Sequence, residues 1–154
     1  MTIQDADQAA VLPLENLLCF DLYEATRALT ELYRPLLDEL GLDYPQYLAL
    51  LAVPVQDPIG IGSVQDALSL DPTTLDAVLR RLASAGLVDR LRPNALGEAA
   101  IELTDAGRWV RGRFAGVQCV VGAAMGLEQA QFLAVQESVR QLVEAVRRAT
   151  DART

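Results

Sequence analysis

Hydrophobic residues recur at helical spacing along most of the chain. From Leu14 to Leu32, leucine and alanine side chains fall on one face of a helix, as expected of an amphipathic segment. Prolines, glycines and capping residues divide the remaining pattern, including an S-x-x-D capping box from Ser63 to Asp66. Helices are therefore predicted over about 14–34, 45–53, 64–69, 72–85, 104–125 and 127–149. Pro35 is expected to bend the first of these helices, and Gly41 is expected to end it.

One short region follows the two-residue period of a strand instead. Residues 87–92 alternate between apolar and polar side chains, and residues 99–103 form a plausible return strand. Pro93-Asn94 and Gly97 supply turn residues between them, and residues 55–62 are predicted to be a loop. The chain is thus expected to be mainly α with a small β-hairpin.

The order of these elements indicates a fold. Two short helices followed by a hairpin, over about 55–103, is the order of a winged helix-turn-helix. The flanking helices, about 14–53 and 104–149, would form the body of a dimer. The 154 residues fit a single domain of this kind.

Composition narrows the chemistry. The chain has no histidine, which removes His-based acid–base catalysis, the usual nucleophile arrangements and most zinc sites. No metal, cofactor or enzymatic activity is predicted. The first dozen residues do not resemble a signal peptide and no apolar run is long enough to span a membrane, so a cytoplasmic protein is expected.

The second short helix, about 72–85, is the candidate DNA-reading element. In a winged helix-turn-helix this helix enters the major groove, and its hydroxyls and arginines can contact phosphates or base edges. The net charge of −8 does not favour nucleic-acid binding, although the unit itself is neutral. An ordinary solvated helix face therefore remains open. The residues predicted to face DNA are Thr73, Thr74, Asp76, Arg80, Arg81, Arg90 and Arg92.

Several segments between residues 14 and 108 resemble one known family. The blocks Cys19–Tyr23, Tyr33–Leu42, Tyr44–Leu48 and Leu103–Arg108 are similar to those of the organic-hydroperoxide-sensing (OhrR-type) repressors of the MarR family. The blocks Cys19–Tyr23 and Tyr44–Leu48 are fairly specific to this branch, whereas Leu103–Arg108 is general to the wider family.

The resemblance implies a role for particular residues. The N-terminal cysteine of that branch senses peroxide, and tyrosines of the partner subunit bind it. Cys19 would then be the redox sensor, with Tyr33 and Tyr44 as partner tyrosines and Tyr23 in a matching place. Cys119 would be either a resolving thiol or a core residue.

Helix geometry agrees with a site that is shared between two chains. Tyr23 lies four residues after Cys19 and shares its helix face. Tyr33 lies fourteen residues after Cys19, which is about 21 Å along a helix axis. Tyr33 cannot contact the cysteine of its own helix, but two helices that cross at a two-fold axis would bring them together. A small buried hydrophobic residue is the alternative interpretation of Cys19.

The sequence departs from the family at the wing. The segment Pro93–Ala100 contains no arginine, where the family carries one that enters the minor groove, and it contains Glu98. Asp76 adds a second carboxylate to the reading surface. Both departures raise the question of how tightly the chain binds DNA.

The leading hypothesis is a homodimeric transcriptional repressor that binds a double-stranded operator and releases it when an organic hydroperoxide oxidises Cys19. A small thiol could also act as effector by forming an adduct. One alternative is a MarR-type regulator that answers a small phenolic or aromatic ligand. Another is a MarR-like dimer with weakened DNA binding that acts through protein partners.

Overall fold

The computed structural model describes residues 11–92 and 99–152. The chain forms two compact units, Met1–Phe114 and Ala115–Thr154. The first unit holds five helices and a small sheet within its described residues, and the second holds most of one helix and all of another. The prediction of a mainly α fold with a β-hairpin is confirmed.

Helix α1 spans Leu18–Asp38. The predicted start near residue 14 is wrong, because Leu14–Asn16 form a separate 3₁₀ turn and Leu17 is extended. The helix continues through Pro35 and ends at Asp38, before Gly41, which agrees with the prediction that Gly41 ends it. Proline removes one backbone hydrogen bond, but Leu37 is only 1% exposed, and its burial in the core holds the last turn in place.

Helix α2 spans Tyr44–Ala52, close to the prediction of 45–53. Asp43 is its N-cap: the carboxylate accepts from the Gln46 amide at 2.8 Å, and the Gln46 side chain accepts from the Asp43 amide at 2.8 Å. This reciprocal pair satisfies two amides that the helix itself leaves without partners. The local sequence thus determines where α2 begins.

The region before the candidate DNA-reading helix differs from the prediction. Strand β1, Ile59–Gly60, lies inside the predicted loop of residues 55–62. Helix α3 spans Ile61–Leu68, and Ser63 lies inside it rather than at its N-cap. The Ile61 amide donates to the Ala99 carbonyl at 3.0 Å, so sheet pairing sets the start of α3. The capping-box prediction for Ser63 is therefore wrong.

Helix α4 spans Pro72–Ser84, in agreement with the prediction of 72–85. Asp71 caps it by accepting from the Thr74 amide at 3.0 Å, and proline occupies its first turn. Gly86 takes a φ of +70° after the helix, which favours glycine. The helix buries the apolar stripe that the sequence predicts: Leu75, Val78, Leu79 and Leu82.

The sheet has three antiparallel strands in the order β1-β3-β2. Strand β2 spans Val88–Leu91 and β3 spans Ala100–Leu103, with Val88 opposite Leu103. This hairpin confirms the predicted pair of strands, and β1 is the strand that the sequence pattern does not reveal. The predicted turn residues Pro93, Asn94 and Gly97 lie outside the described residues.

The predicted helix over 104–125 is two helices. Helix α5 spans Asp105–Gly112 and α6 spans Phe114–Met125. The break falls at Arg113, whose amide donates to the Val110 carbonyl at 3.0 Å, three residues back rather than four. Helix α7, Gln129–Asp151, confirms the predicted last helix, with its start two residues later than predicted.

Helix α5 begins in unusually close contact with the chain after α4. A Cβ atom on Gly107 would lie 1.9 Å from the Leu87 carbonyl oxygen. Thr104 reinforces the junction: its hydroxyl donates to the Gly86 carbonyl at 2.6 Å and accepts from the Gly107 amide at 3.0 Å, and its amide donates to the Leu87 carbonyl at 3.1 Å. Only glycine fits at position 107 without moving one of the two backbones.

Gly107→Ala should lower the free energy of unfolding by about 1–3 kcal/mol or more, because a methyl group must separate α5 from Leu87. Gly112→Ala is the matched control: a Cβ atom at that position would meet no atom within 4 Å, and alanine is the better helix former. Urea unfolding followed by circular dichroism measures both variants. Equal stability of the Gly107 variant and the wild type would contradict the close contact.

Candidate functional site

Cys19 lies in the first turn of α1 and its side chain is exposed. The neighbouring Leu17 and Leu18 are 37% and 58% exposed. The alternative interpretation of Cys19 requires a thiol buried in a core, and the single chain does not bury it. The surface around it is apolar and open to a partner.

Three tyrosine rings form a cluster where the end of α1 meets the start of α2. The ring centroids of Tyr33 and Tyr44 lie 5.0 Å apart, and those of Tyr33 and Tyr47 lie 5.4 Å apart. Tyr47 is 2% exposed and packs edge-on against Phe114, with a centroid distance of 4.6 Å. The structure thus brings Tyr33 and Tyr44 together in one cluster with Tyr47.

Tyr47 is a member of the cluster that sequence reasoning missed. It lies three residues after Tyr44, on the same face of α2, and this i,i+3 spacing could have revealed it. A buried aromatic side chain is usually a core residue, which is why the spacing alone did not suggest a role for Tyr47.

The surroundings of Tyr33 and Tyr44 favour the protonated form of their phenols. Burial raises the pKa of Tyr33 to about 12, and the neighbouring phenols of Tyr47 and Tyr44 add to the effect. Burial also raises the pKa of Tyr44, with a further contribution from Tyr47. At neutral pH both hydroxyls therefore carry the proton that a hydrogen-bond donor needs.

Cys19 lies far from these phenols in its own chain. Both Cys19 and Tyr33 belong to the continuous helix α1, so their fourteen-residue separation corresponds to about 21 Å. Tyr23 is 59% exposed and lies beside Arg27, whose guanidinium carbon is 5.9 Å from the ring centroid. Neither Cys19 nor Tyr23 joins the cluster within one chain. Cys119, on α6, is also exposed.

The predicted DNA-reading residues lie on exposed parts of α4 and β2. Thr73 is exposed, whereas the Thr74 hydroxyl donates to the Asp71 carboxylate that caps the helix. This hydrogen bond, followed by the one from the Thr74 amide, lowers the pKa of Asp71. Thr74 therefore helps to fix the start of α4.

Carboxylates pair with three of the arginines on this surface. Asp76 contacts both Arg80, at 2.9 Å, and Arg90, at 2.8 Å. Arg81 contacts Asp43, the N-cap of α2, at 2.7 Å. Arg92 is exposed at the end of β2. The wing residues Pro93 to Glu98, on which the predicted departure from the family depends, lie outside the described residues.

The described residues show two further negative results. None of their helices is both long enough and apolar enough to cross a membrane. Among residues 11–92 and 99–152, no group of three or more histidine, cysteine, aspartate or glutamate side chains is arranged to hold a metal ion.

Known proteins were compared with this chain in sequence and in fold. No family model matches the chain. The chain is 36% identical over 117 residues to the organic hydroperoxide resistance transcriptional regulator of Bacillus subtilis strain 168, an overlap that covers 75% of this chain and 78% of the relative.

Two solved structures are similar over almost their whole length. Reduced AbfR of Staphylococcus epidermidis, bound to DNA, is 29% identical with a TM-score of 0.69, covering 86% of this chain and 94% of AbfR. AbfR has also been solved in an overoxidised form on DNA and in a disulfide form. A MarR family regulator from Silicibacter pomeroyi has a TM-score of 0.69 at 20% identity, covering 95% of this chain and 97% of that one. The chain belongs to the MarR family of transcriptional regulators.

Proposed function

We propose that this protein is a homodimeric repressor that binds operator DNA and releases it when an organic hydroperoxide oxidises Cys19. The observation that carries the proposal is the tyrosine cluster, with the raised pKa of Tyr33 and Tyr44, at the opposite end of α1 from an exposed thiol. One chain cannot join the two, because α1 separates them by about 21 Å. In a dimer with a two-fold axis, Cys19 of each chain can lie beside the tyrosine cluster of the other chain, which gives two equivalent sites.

Exposed apolar side chains support the dimer. Helix α7 has 23 residues and none of them is buried. An amphipathic helix that leaves its apolar stripe in water gains little from folding, so a partner surface is expected to cover it. The N-terminal part of α1 is similar, with Leu18 58% exposed. The large apolar residues that α7 exposes are Phe132, Leu133, Val135, Val139, Val143 and Val146.

The chemistry of sensing then follows from the residues present. The Cys19 thiolate attacks the terminal oxygen of a hydroperoxide ROOH, so that an S–O bond forms and the O–O bond breaks. The sulfur is oxidised to a sulfenic acid, and the leaving alkoxide takes a proton to become the alcohol ROH. Phenol donors such as Tyr33 and Tyr44 stabilise the thiolate by hydrogen bonding.

The sulfenic acid can react once more. Condensation with a second thiol gives a disulfide and releases water. Cys119 or a small cellular thiol could supply that second sulfur. Intact mass measured without reductant separates the two, because a cross-linked dimer indicates Cys119 and an adduct indicates a small thiol.

The comparisons support the same function. The Bacillus relative is a regulator of organic hydroperoxide resistance, and AbfR has been solved reduced, overoxidised and in disulfide form. Both proteins are more than 25% identical to this chain over most of its length. The exposed surface of α4 and β2, with Thr73, Arg80, Arg90 and Arg92, is the surface that would contact DNA.

One observation favours a second candidate function, a regulator that answers a small aromatic ligand. A cavity of ≈ 300 Å³ lies beside the tyrosine cluster. Its charged lining residues are Arg34, Asp38 and Asp43, and Leu37 and Tyr44 could contact an aromatic ring. Such a regulator would respond to its ligand without any change at Cys19, so the following experiment separates the two functions.

Wild-type protein should bind the DNA upstream of its own gene when reduced and lose about 5- to 150-fold in affinity after treatment with cumene hydroperoxide, the range typical of coupled sites. Cys19→Ser should bind that DNA equally well and stay bound after oxidation, because it lacks the reacting sulfur. Fluorescence anisotropy with labelled DNA measures both.

Cys119→Ser is the matched control and should still respond to oxidant. Oxidant-induced release from the Cys19 variant would exclude Cys19 as the sensor. Wild-type protein that stays bound to DNA after oxidation would favour the ligand-responsive regulator. Absence of selective binding by the reduced wild type would instead favour a dimer that acts through protein partners.

The phenol of Tyr33 should titrate near pH 12, as its raised pKa requires. Because the unfolded chain loses this proton near pH 10 and the folded chain retains it, stability should fall as the pH rises from about 10 to 12. Absorbance at alkaline pH should show the high-pKa step in the wild type and in Tyr23→Phe. Its persistence in Tyr33→Phe would assign the step to another residue.

A further inference from the structure

The carboxylate of Asp76 joins the reading helix to the hairpin. Asp76 lies on α4, and its Oδ2 is 2.9 Å from Nε of Arg80 on the same helix. Its Oδ1 is 2.8 Å from Nη2 of Arg90, which lies on β2. One carboxylate therefore holds two of the arginines that face the proposed DNA surface, one with each oxygen.

These contacts contribute little to the stability of the fold. The side chains of Arg80, Asp76 and Arg90 are 66%, 41% and 36% exposed, and ion pairs at such exposure are weak. Their effect on an approaching polyanion is larger. A phosphate must compete with Asp76 for each guanidinium, and the carboxylate itself repels the phosphate.

The extent to which Asp76 weakens DNA binding depends on the DNA sequence. Binding to unrelated DNA depends almost wholly on phosphate contacts, so Asp76 weakens it without compensation. A carboxylate has about four acceptor positions, of which the two arginines use two. The free positions can accept a hydrogen bond from the N4 amino group of cytosine, a group that the major groove displays.

We propose that Asp76 determines specificity in DNA binding: it weakens binding to unrelated DNA by holding Arg80 and Arg90, and it is compensated where the operator presents a cytosine. The inference rests on the proposed DNA binding and adds to it one residue and the base that the residue reads. It also explains how a chain with a net charge of −8 could select its operator.

The test compares wild type with Asp76→Asn on two duplexes, the DNA upstream of its own gene and an unrelated duplex of equal length. Affinity for the unrelated duplex should rise about tenfold in the variant, and the slope of log K against log salt should steepen by about 1–2, as one or two more phosphates are contacted. Affinity for the upstream DNA should rise by less than about threefold or fall, since the variant also loses the charged acceptor for cytosine.

Asp66→Asn is the matched control, because Asp66 is an exposed carboxylate on α3 and the charge change is the same. The double variant Asp76→Asn, Arg90→Gln tests the mechanism, since removal of Arg90 should cancel most of the gain. Asp76→Ala checks that the result does not come from base contacts of the new asparagine amide. Circular dichroism and thermal unfolding should show that all four variants fold.

The outcomes are distinguishable. An equal gain on both duplexes, an equal effect of Asp66→Asn, or no change in Asp76→Asn would overturn the role of Asp76 and leave DNA regulation intact. If the wild type binds neither duplex selectively, the proposed function fails, and the specificity role fails with it.

Discussion

The close contact between α5 and the Leu87 carbonyl is the constraint on which the rest of the first unit depends. Gly107 lacks a Cβ, so the helix backbone approaches the chain that leaves α4. Thr104 then binds the Gly86 and Leu87 carbonyls with its hydroxyl and its amide. Both carbonyls lie in the short segment between α4 and β2. One junction thereby sets the end of α4, the start of β2 and the start of α5.

The second turn of α5 extends this constraint to α2. Arg111 donates to the carbonyls of Leu50, Leu51 and Val53, the last at 2.6 Å. These carbonyls lie at the C-terminal end of α2, where the helix dipole favours a cation. Asp43 occupies the opposite end, where the dipole favours an anion. Helix α2 is therefore held by a charge at each end, and α5 positions it relative to α4.

Sequence reasoning succeeded where the determinants are local. The ends of α2 and α4 depend on Asp43, Asp71 and adjacent prolines, and both helices were predicted to within one residue. Sequence reasoning failed where contacts with distant strands determine the structure. Helix α3 starts at Ile61 because the Ala99 carbonyl accepts the Ile61 amide, and nothing near Ile61 in sequence reveals this partner. The short β1 strand was missed for the same reason.

In the candidate site, too, the sequence predicts local relations between residues but not contacts between distant elements. The helical spacing of Cys19 and Tyr33 was sufficient to predict that one chain cannot bring them together, and continuous α1 supports that argument. The spacing of Asp76 and Arg80 likewise gives an i,i+4 pair. The contact from Arg90 could not be predicted, because it requires the position of β2 against α4. The contact between Tyr47 and Tyr33 likewise depends on the fold, which packs α2 against α1.

Asp43 connects the helix that carries Tyr44 and Tyr47 with the candidate DNA-reading helix. Its carboxylate caps α2 one residue before Tyr44, and the same carboxylate contacts Arg81 of α4 at 2.7 Å. Such a half-exposed ion pair is weak by itself, but α2 and α4 also pack against each other, and packed helices move together rather than deform. A displacement of the first turn of α2 therefore reaches the reading helix through direct contact, without passing through a loop. In the proposed mechanism, phenols that bind a partner's sulfur would need only to shift that turn in order to move the proposed DNA-reading surface.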